Sequence, residues 1–397
     1  MQRILSSPFG SLGLRAGALF TVAVLAVAAN LRAPVTVLPP LIPQLEAQLG
    51  LSGVSAGLIT MLPVLCMGLL APVGQRLGHR FGNHRAITLA MVLLVAGMLL
   101  RAGGGLSVLY LGTLLVGAGI AIAGALLPAV VKERFASRAG LMTGVYMGGM
   151  SLSAALGALL AVPIASWLGS WQLSIAVWAL PALLSLLVWE GARAPSADHA
   201  KPAPRGTLPW KHPTAWVVLG YLALQSTQFY TNAAWIPATY EARGWSDADA
   251  GVLLTVFAAT QGLTGVLVPS LADRVRDNRW LLAPCALFAA AGIGGVALAP
   301  DALPYVWMTL IGFGLGGGFG MGLVYLVAYA HDGAASARLT AVAFLFSYSL
   351  ASLGPVWFGA LRDETGGFDA PWLVLLILAL IQGAYVALMS PARRRVR

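Results

Sequence analysis

Twelve stretches of mostly apolar residues follow one another along the chain, at 16–45, 52–78, 85–103, 105–131, 139–163, 170–190, 213–239, 247–271, 279–299, 303–330, 337–361 and 370–390. A helix of about 20 such residues matches the hydrocarbon thickness of a bilayer, so each stretch predicts a membrane span. The chain is 58% hydrophobic and only 10% charged over its 397 residues, outside the range of soluble domains. The class expected is therefore an all-α integral membrane protein with 12 transmembrane helices. The segment "QLEAQLG" at the end of the first span is expected to leave the membrane as a continuing helix. With no small-residue cleavage site after a short apolar core, the N-terminal region reads as a retained first span.

A net charge of +10 raises nucleic acid as a partner, but its distribution points to the membrane. With the N-terminus assigned to the cytoplasm, 20 of the 24 Lys and Arg residues fall inside, Arg101, Arg243 and Arg362 fall outside, and Arg32 lies within a span. That asymmetry is the positive-inside pattern, with both termini cytoplasmic, as in a multi-pass protein of a bacterial inner membrane. The basic tail "RRRVR" reads as a topology anchor, with no nucleic-acid role expected. Cys66 and Cys285 lie in spans 2 and 9 and read as packing residues, so neither a disulfide nor a metal site follows.

The two halves repeat each other. Ile42-Pro43, Gly50, Ser52, Ala56-Gly57, Leu77 and Arg80 recur as Ile236-Pro237, Gly244, Ser246, Ala250-Gly251, Leu271 and Arg274, at a constant offset of 194. Between them a Pro-rich polar stretch, too polar to span, reads as a cytoplasmic linker. This divides the chain into a six-helix bundle at 1–190, a linker at 191–212 and a second bundle at 213–397. Two six-helix halves in pseudo-twofold arrangement describe the major facilitator architecture, with a substrate site near the midplane.

The loop "PSLADRVRDNR", 269–279, resembles the major facilitator signature G-x-L-x-D-R-x-G-R, with Asp273 and Arg274 matching and Pro269 in place of the usual Gly. Its first-half equivalent, "QRLGHRFGNHR", keeps Leu77, Arg80 and Gly82 but has His79 where the acid belongs. Such an acid closes the cytoplasmic side by pairing with a base near a helix N-terminus of the other half; Arg138 is the partner expected for Asp273, and Arg338 faces the loop lacking the acid. The run "GFGLGGGFGMG", 312–322, matches a dinucleotide pattern only formally, since no strand precedes it, and reads as close helix packing. In span 7, Gln225, Gln228, Asn232 and Trp235 fall on one helical face. The stripe serves either as interhelical glue, worth about 0.6 kcal/mol per bond, or as the lining of a wet cavity, and the second is expected. Further candidates for that lining are Tyr146, Gln261, Tyr325, Ser347 and Tyr348.

The stretches "NLRAPVTVLPPLIPQLEAQLGLS", "LQSTQFYTNAAWIPATYEARGWSDADAG" and "SYSLASLGPVWFGALRDETGGFDAPWL" resemble the cyanate permease and 2-nitroimidazole transporter branch of the major facilitator superfamily, over nearly the whole chain. The resemblance implies transport, of small anions by some members and neutral drugs by others. Relatives often carry an Asn just before the segment matching Leu126–Pro128; here Gly124-Ala125 stand there.

All 14 carboxylates lie at or beyond span ends, and none of the five histidines sits at mid-membrane. No buried acid is offered as a proton carrier; the substrate itself, or Glu46, Glu133 or Asp332 at helix ends, remain as carriers, and uniport or exchange with a counter-transported solute is equally compatible. No H-E-x-x-H, no G-x-S-x-G and no paired acids near a span favour a membrane enzyme, and no cofactor is called for. A channel with Arg32 in an anion filter suits a twofold repeat with many kink residues less well than alternating access. An arginine at mid-membrane costs several kcal/mol, roughly 3 on insertion scales. Arg32, with Asn30 nearby, is therefore expected to anchor an anionic or electronegative small-molecule substrate across from Gln225, Gln228, Asn232 and Trp235, in a carrier that works as a monomer among its lipids. Export of neutral xenobiotics is the alternative.

Overall fold

The computed structural model describes residues 8–135, 139–192, 208–393 and 395–396. Among them, eleven helical segments are long and apolar enough to cross a membrane: Ala18–Leu49, Gly53–Phe81, Asn83–Arg101, Leu106–Arg134, Gly144–Leu168, Trp171–Gly191, Asp247–Arg274, Arg279–Leu298, Pro304–Ala328, Ala335–Thr365 and Asp369–Leu388. They are spans 1 to 6 and 8 to 12. The helix Pro213–Glu241 is span 7; at 29 residues it is as long as the others, about 44 Å, but it is diluted by its amides and hydroxyls. Twelve crossings place the start of span 1 and the end of span 12 on one face, the terminal face.

Span 1 is not one helix. It runs from Pro8 to Ala29, breaks at 30–32, resumes as Ala33–Thr36, tightens into a 3-10 turn at Pro39–Leu41 and ends as Ile42–Leu49. Pro39 and Pro40 lack the N–H groups an α-helix would need there, which is why only short pieces form. The tail "QLEAQL" does continue as helix, as expected.

The sequence repeat is reproduced in local geometry. Gly50 and Gly244 both adopt positive φ, 64° and 90°, a conformation that favours glycine. Two residues on, Ser52 Oγ accepts from Ser55 N at 3.2 Å and Ser246 Oγ accepts from Asp249 N at 3.1 Å, capping spans 2 and 8 alike. The packing is twofold too: Gly57 of span 2 lies against the backbone of Pro355 in span 11, and Gly251 of span 8 lies against Ala158 in span 5. One hydrophobic core is drawn wholly from spans 1 to 6, and another from spans 7 to 12 with the C-terminal tail. In span 10, Gly314 abuts the Cys285 carbonyl, Gly316 abuts Gln261 and Gly320 abuts Pro269, so the glycine run seats span 10 against spans 8 and 9. Cys66 and Cys285 are buried, free thiols.

Candidate functional site

The halves meet at the face opposite the termini, and a set of polar contacts seals them there. Arg362 Nη1 lies 2.9 Å from Glu46 Oε1 across the interface, with its guanidinium stacked over Trp235 at 4.9 Å and Phe368 at 5.6 Å. Gly53 N donates to Asp363 Oδ2 at 2.7 Å, and Gln44 Nε2 donates to Asp247 Oδ2 at 3.0 Å. The sequence reading missed this seal. Its signal was the common face of Glu46, Asp247 and Arg362 at span ends, but pairing them needs the spatial neighbourhood of spans 1, 2, 8 and 11.

Towards the terminal face the halves enclose a cavity of about 450 Å³. Its walls come from residues 144–154 of span 5, 254–269 of span 8 and 319–327 of span 10, with Arg32 and Thr36 from span 1 and Phe229 and Ala233 from span 7. Phe229, Phe257, Phe319, Met147 and Met150 make it largely apolar; Arg32, Thr36, Ser151 and Gln261 are its polar points. Arg32 is half-buried, with its guanidinium carbon 5.4 Å from the centre of the Phe229 ring. It also interacts electrostatically with Tyr230 and Tyr348, whose rings meet edge to face at 6.1 Å. No carboxylate pairs with Arg32 among the described residues. A cation–π contact is worth about 0.5–2 kcal/mol, too little to offset the cost of an intramembrane charge by itself. The site is thus a single positive charge with flat apolar surfaces beside it.

The other expected lining residues are placed elsewhere. Asn30 Nδ2 donates to Ser185 Oγ at 2.7 Å and to the Ala26 carbonyl at 2.8 Å, so it ties span 1 to span 6. The span 7 stripe turns inward to its own half, which corrects the expectation of a cavity lining. Gln225 donates to the Leu315 carbonyl at 2.8 Å, Gln228 to Gln382 Oε1 at 2.6 Å, and Asn232 to the Gln228 carbonyl at 2.8 Å. Trp235 donates to the Pro355 carbonyl at 2.9 Å and lies beneath Arg362 in the seal. The adjacent face of span 7, with Phe229 and Ala233, fronts the cavity instead. Tyr146 is packed in the core of spans 1 to 6. Tyr325 packs at a tilt against Tyr329 in the core of spans 7 to 12, ring centroids 5.2 Å apart, and Ser347 is buried against the Leu219 carbonyl at 3.5 Å. Of the residues singled out for the site, Arg32 and Gln261 line the cavity, and Tyr348 flanks Arg32.

Arg101, counted on the outer side, is the last residue of the span 3 helix and is 0% exposed. Its Nη1 donates to the Pro34 carbonyl at 2.7 Å and its Nε to Thr113 Oγ1 at 3.1 Å. At the terminal face the motif residues Asp273, Arg274 and Arg80 are exposed and in no ion pair among the described residues; Arg80 lies over Phe81 at 5.2 Å. Asp277, not Asp273, is engaged there: hydrogen bonds from Arg279, the shortest 2.6 Å, hold its carboxyl below the usual carboxylate range. Arg138 lies outside the described residues.

The arrangement agrees with what the chain is similar to. The 2-nitroimidazole transporter of Escherichia coli (strain K12) is 31% identical over 366 residues, covering 91% of this chain and 93% of that one. The cyanate transport protein CynX of the same organism is 31% identical over 346 residues, covering 86% and 90%. A crystal structure of a bacterial homolog of the human lysosomal transporter Spinster, in an inward-facing and occupied conformation, superposes with a TM-score of 0.77 at 16% identity, covering 97% of each chain. The Major Facilitator Superfamily model matches residues 19–355. Twelve crossings, a duplicated half and a cavity between the halves are what such a match requires, and the chain belongs to the Major Facilitator Superfamily: it is a multi-pass membrane transporter and not an enzyme.

Proposed function

We propose that this transporter carries an organic monoanion with a flat apolar body by alternating access, with Arg32 as its anchor. The observation that carries the reading is the Arg32 guanidinium at the cavity wall with no acidic partner, because an unpaired cation at that depth gains most when an anion joins it. A cavity of about 450 Å³ is in the range of small organic ligands and is roomy for a triatomic ion. Its phenylalanines and methionines favour a flat apolar body, and Gln261, whose amide has no partner among the described residues, offers a second polar contact. The moving units are 1–190 and 213–397 joined by 191–212, in a bacterial inner membrane with both termini cytoplasmic. On that orientation the Glu46–Arg362, Gly53–Asp363 and Gln44–Asp247 contacts seal the outer side. Asp273 and Arg138 close the inner side in the alternative state, with Arg80, Arg274 and Arg338 nearby. A proton or a counter-transported solute completes the cycle.

The apolar walls also favour a second reading, export of neutral nitroimidazole-like aromatics. Counterflow in proteoliposomes separates the two, with benzoate, cyanate and 2-nitroimidazole as probes. Benzoate movement is expected, reduced about hundredfold by Arg32→Gln through loss of two charge-assisted hydrogen bonds, and less by Arg32→Lys, which keeps the charge without the planar fork. Movement of 2-nitroimidazole alone, unchanged in Arg32→Gln, would establish the second reading; movement of an anion unaffected by the substitution would remove the anchor.

A further inference from the structure

A fully buried arginine without a carboxylate stands out in a membrane helix, and Arg101 is one. Its side chain is 0% exposed, yet its described partners are a backbone carbonyl, a threonine hydroxyl and the Met98 sulfur. Nη2 has no partner among the described residues. Such a charge is costly to hold unless it secures something worth more.

What it secures is the break in span 1. The stretch 30–41 is irregular at membrane depth, a condition tolerated only where the freed backbone groups find partners. Three of its sides are tied. Asn30 is bound to span 6 through Ser185. Span 5 reaches it twice, Thr36 Oγ1 donating to the Ala154 carbonyl at 2.9 Å and Ser153 Oγ donating to the Ala29 carbonyl at 2.6 Å. From span 3, Arg101 takes the Pro34 carbonyl. Arg32 sits between these ties and lines the cavity with its charged group.

We propose that Arg101 is a positioning residue: by holding the Pro34 carbonyl it keeps the span 1 break in the register that directs Arg32 into the cavity. The carbonyl-binding role open to an arginine beside a proline break is filled by Arg101, which leaves Arg32 for the ligand. Thr113 completes the device. It accepts from Arg101 Nε and donates its own hydroxyl to the Leu109 carbonyl at 2.7 Å, so the guanidinium is held from behind by span 4. A lysine could reach the carbonyl but not both partners at once, since the bond to Thr113 uses a second nitrogen of the fork. The functional consequence rests on Arg32 as anchor; the placement of residue 32 does not.

The test therefore reads placement directly. In a full-length protein with Cys66→Ala and Cys285→Ala, Arg32→Cys is alkylated with N-ethylmaleimide in membranes, with Gln261→Cys across the cavity as reference. Adding Arg101→Gln is expected to slow alkylation at position 32 by about tenfold, the factor matching one hydrogen bond to a charged group, while position 261 is unchanged. Arg101→Lys, which keeps a charged donor for the carbonyl, is expected to restore most of the rate. Thr113→Val is the second variant should Arg101→Gln fail to reach the membrane, and it is expected to slow the same position by about threefold, as loss of a neutral hydrogen bond would. An unchanged or faster rate at position 32 in a folded Arg101→Gln or Thr113→Val protein, or an equal change at position 261, would overturn the proposal. If Arg32→Gln alone proves neutral for transport while Arg101→Gln still slows alkylation, the positioning stands and the anchor reading falls.

Discussion

The seal opposite the termini makes one substitution unusually informative. A Cβ added at Gly57 would stand 2.5 Å from the Pro355 carbonyl oxygen and 2.8 Å from Val356 Cα, where ordinary contact begins at 3.4 Å. Both are backbone atoms, so no side chain can swing aside, and spans 2 and 11 must part by nearly an ångström. Overpacking of that kind costs about 1–3 kcal/mol. The helix-propensity gain of Ala over Gly is shared by every state in which span 2 is helical and cancels. The penalty falls only on the state in which spans 2 and 11 touch, so Gly57→Ala should shift the population away from the sealed state by about five- to 150-fold. The repeat partner supplies the control, because a Cβ at Gly251 would lie 3.2 Å from the Ala158 carbonyl and needs only a few tenths of an ångström. Gly251→Ala should shift the same equilibrium by less than about fivefold, a cost under 1 kcal/mol. Spin labels at the exposed positions Ala47 and Glu364, in a background without Cys66 and Cys285, report the separation across the seal by pulsed electron resonance. A distance distribution in Gly57→Ala that superimposes on the parent, or an equal lengthening in Gly251→Ala, would refute the argument.

Glu46→Gln leaves Arg362 with Asp363 and its two aromatic rings but removes the cross-interface pair. For a pair this partly covered the loss is about 1–2 kcal/mol, so the same labels should show roughly tenfold more of the open seal, and the exchange Glu46→Arg with Arg362→Glu should restore it. Reporter fusions after Arg397 and within 195–210 should both read cytoplasmic, as the 20 inner against three outer basic residues require; a periplasmic signal from either would contradict the assigned orientation. Asp273→Asn should hold the terminal face open more than His79→Asn does, measured by distances across that face, because only the second-half loop carries the acid of the motif; equal effects would remove the asymmetry.

The parts of this protein legible in one dimension are those set by local chemistry. Bilayer thickness imposes a length on each span, so the twelve runs could be counted, span 7 with its amides among them. The repeat was visible because Gly50 and Gly244 need a positive φ and Ser52 and Ser246 cap a helix, constraints that act within four residues. Arg32 could be picked out because charge at mid-membrane is costly wherever the neighbours lie.

Which way a helix faces is a different matter. Gln225, Gln228, Asn232 and Trp235 do share one face of span 7, but that face turns to spans 10, 11 and 12, while the neighbouring face with Phe229 turns to the cavity. Successive residues are about 100° apart around a helix, so a rotation of one residue moves a stripe from lining to glue. Rotation is decided by packing against other helices, here by small residues such as Gly57 and Gly354 that let spans 2, 7 and 11 approach. Arg101 shows the same limit: the sequence counts it as one of three outer charges, and only the fold of span 1 behind it, with Pro34 presenting its carbonyl and span 4 presenting Thr113, accounts for its burial. Spans, caps and the charge at Arg32 are written in local chemistry; which polar groups satisfy one another is settled only in three dimensions, because partners such as Arg101 and Pro34, 67 residues apart, or Asn30 and Ser185, 155 apart, are assigned by contact and not by period.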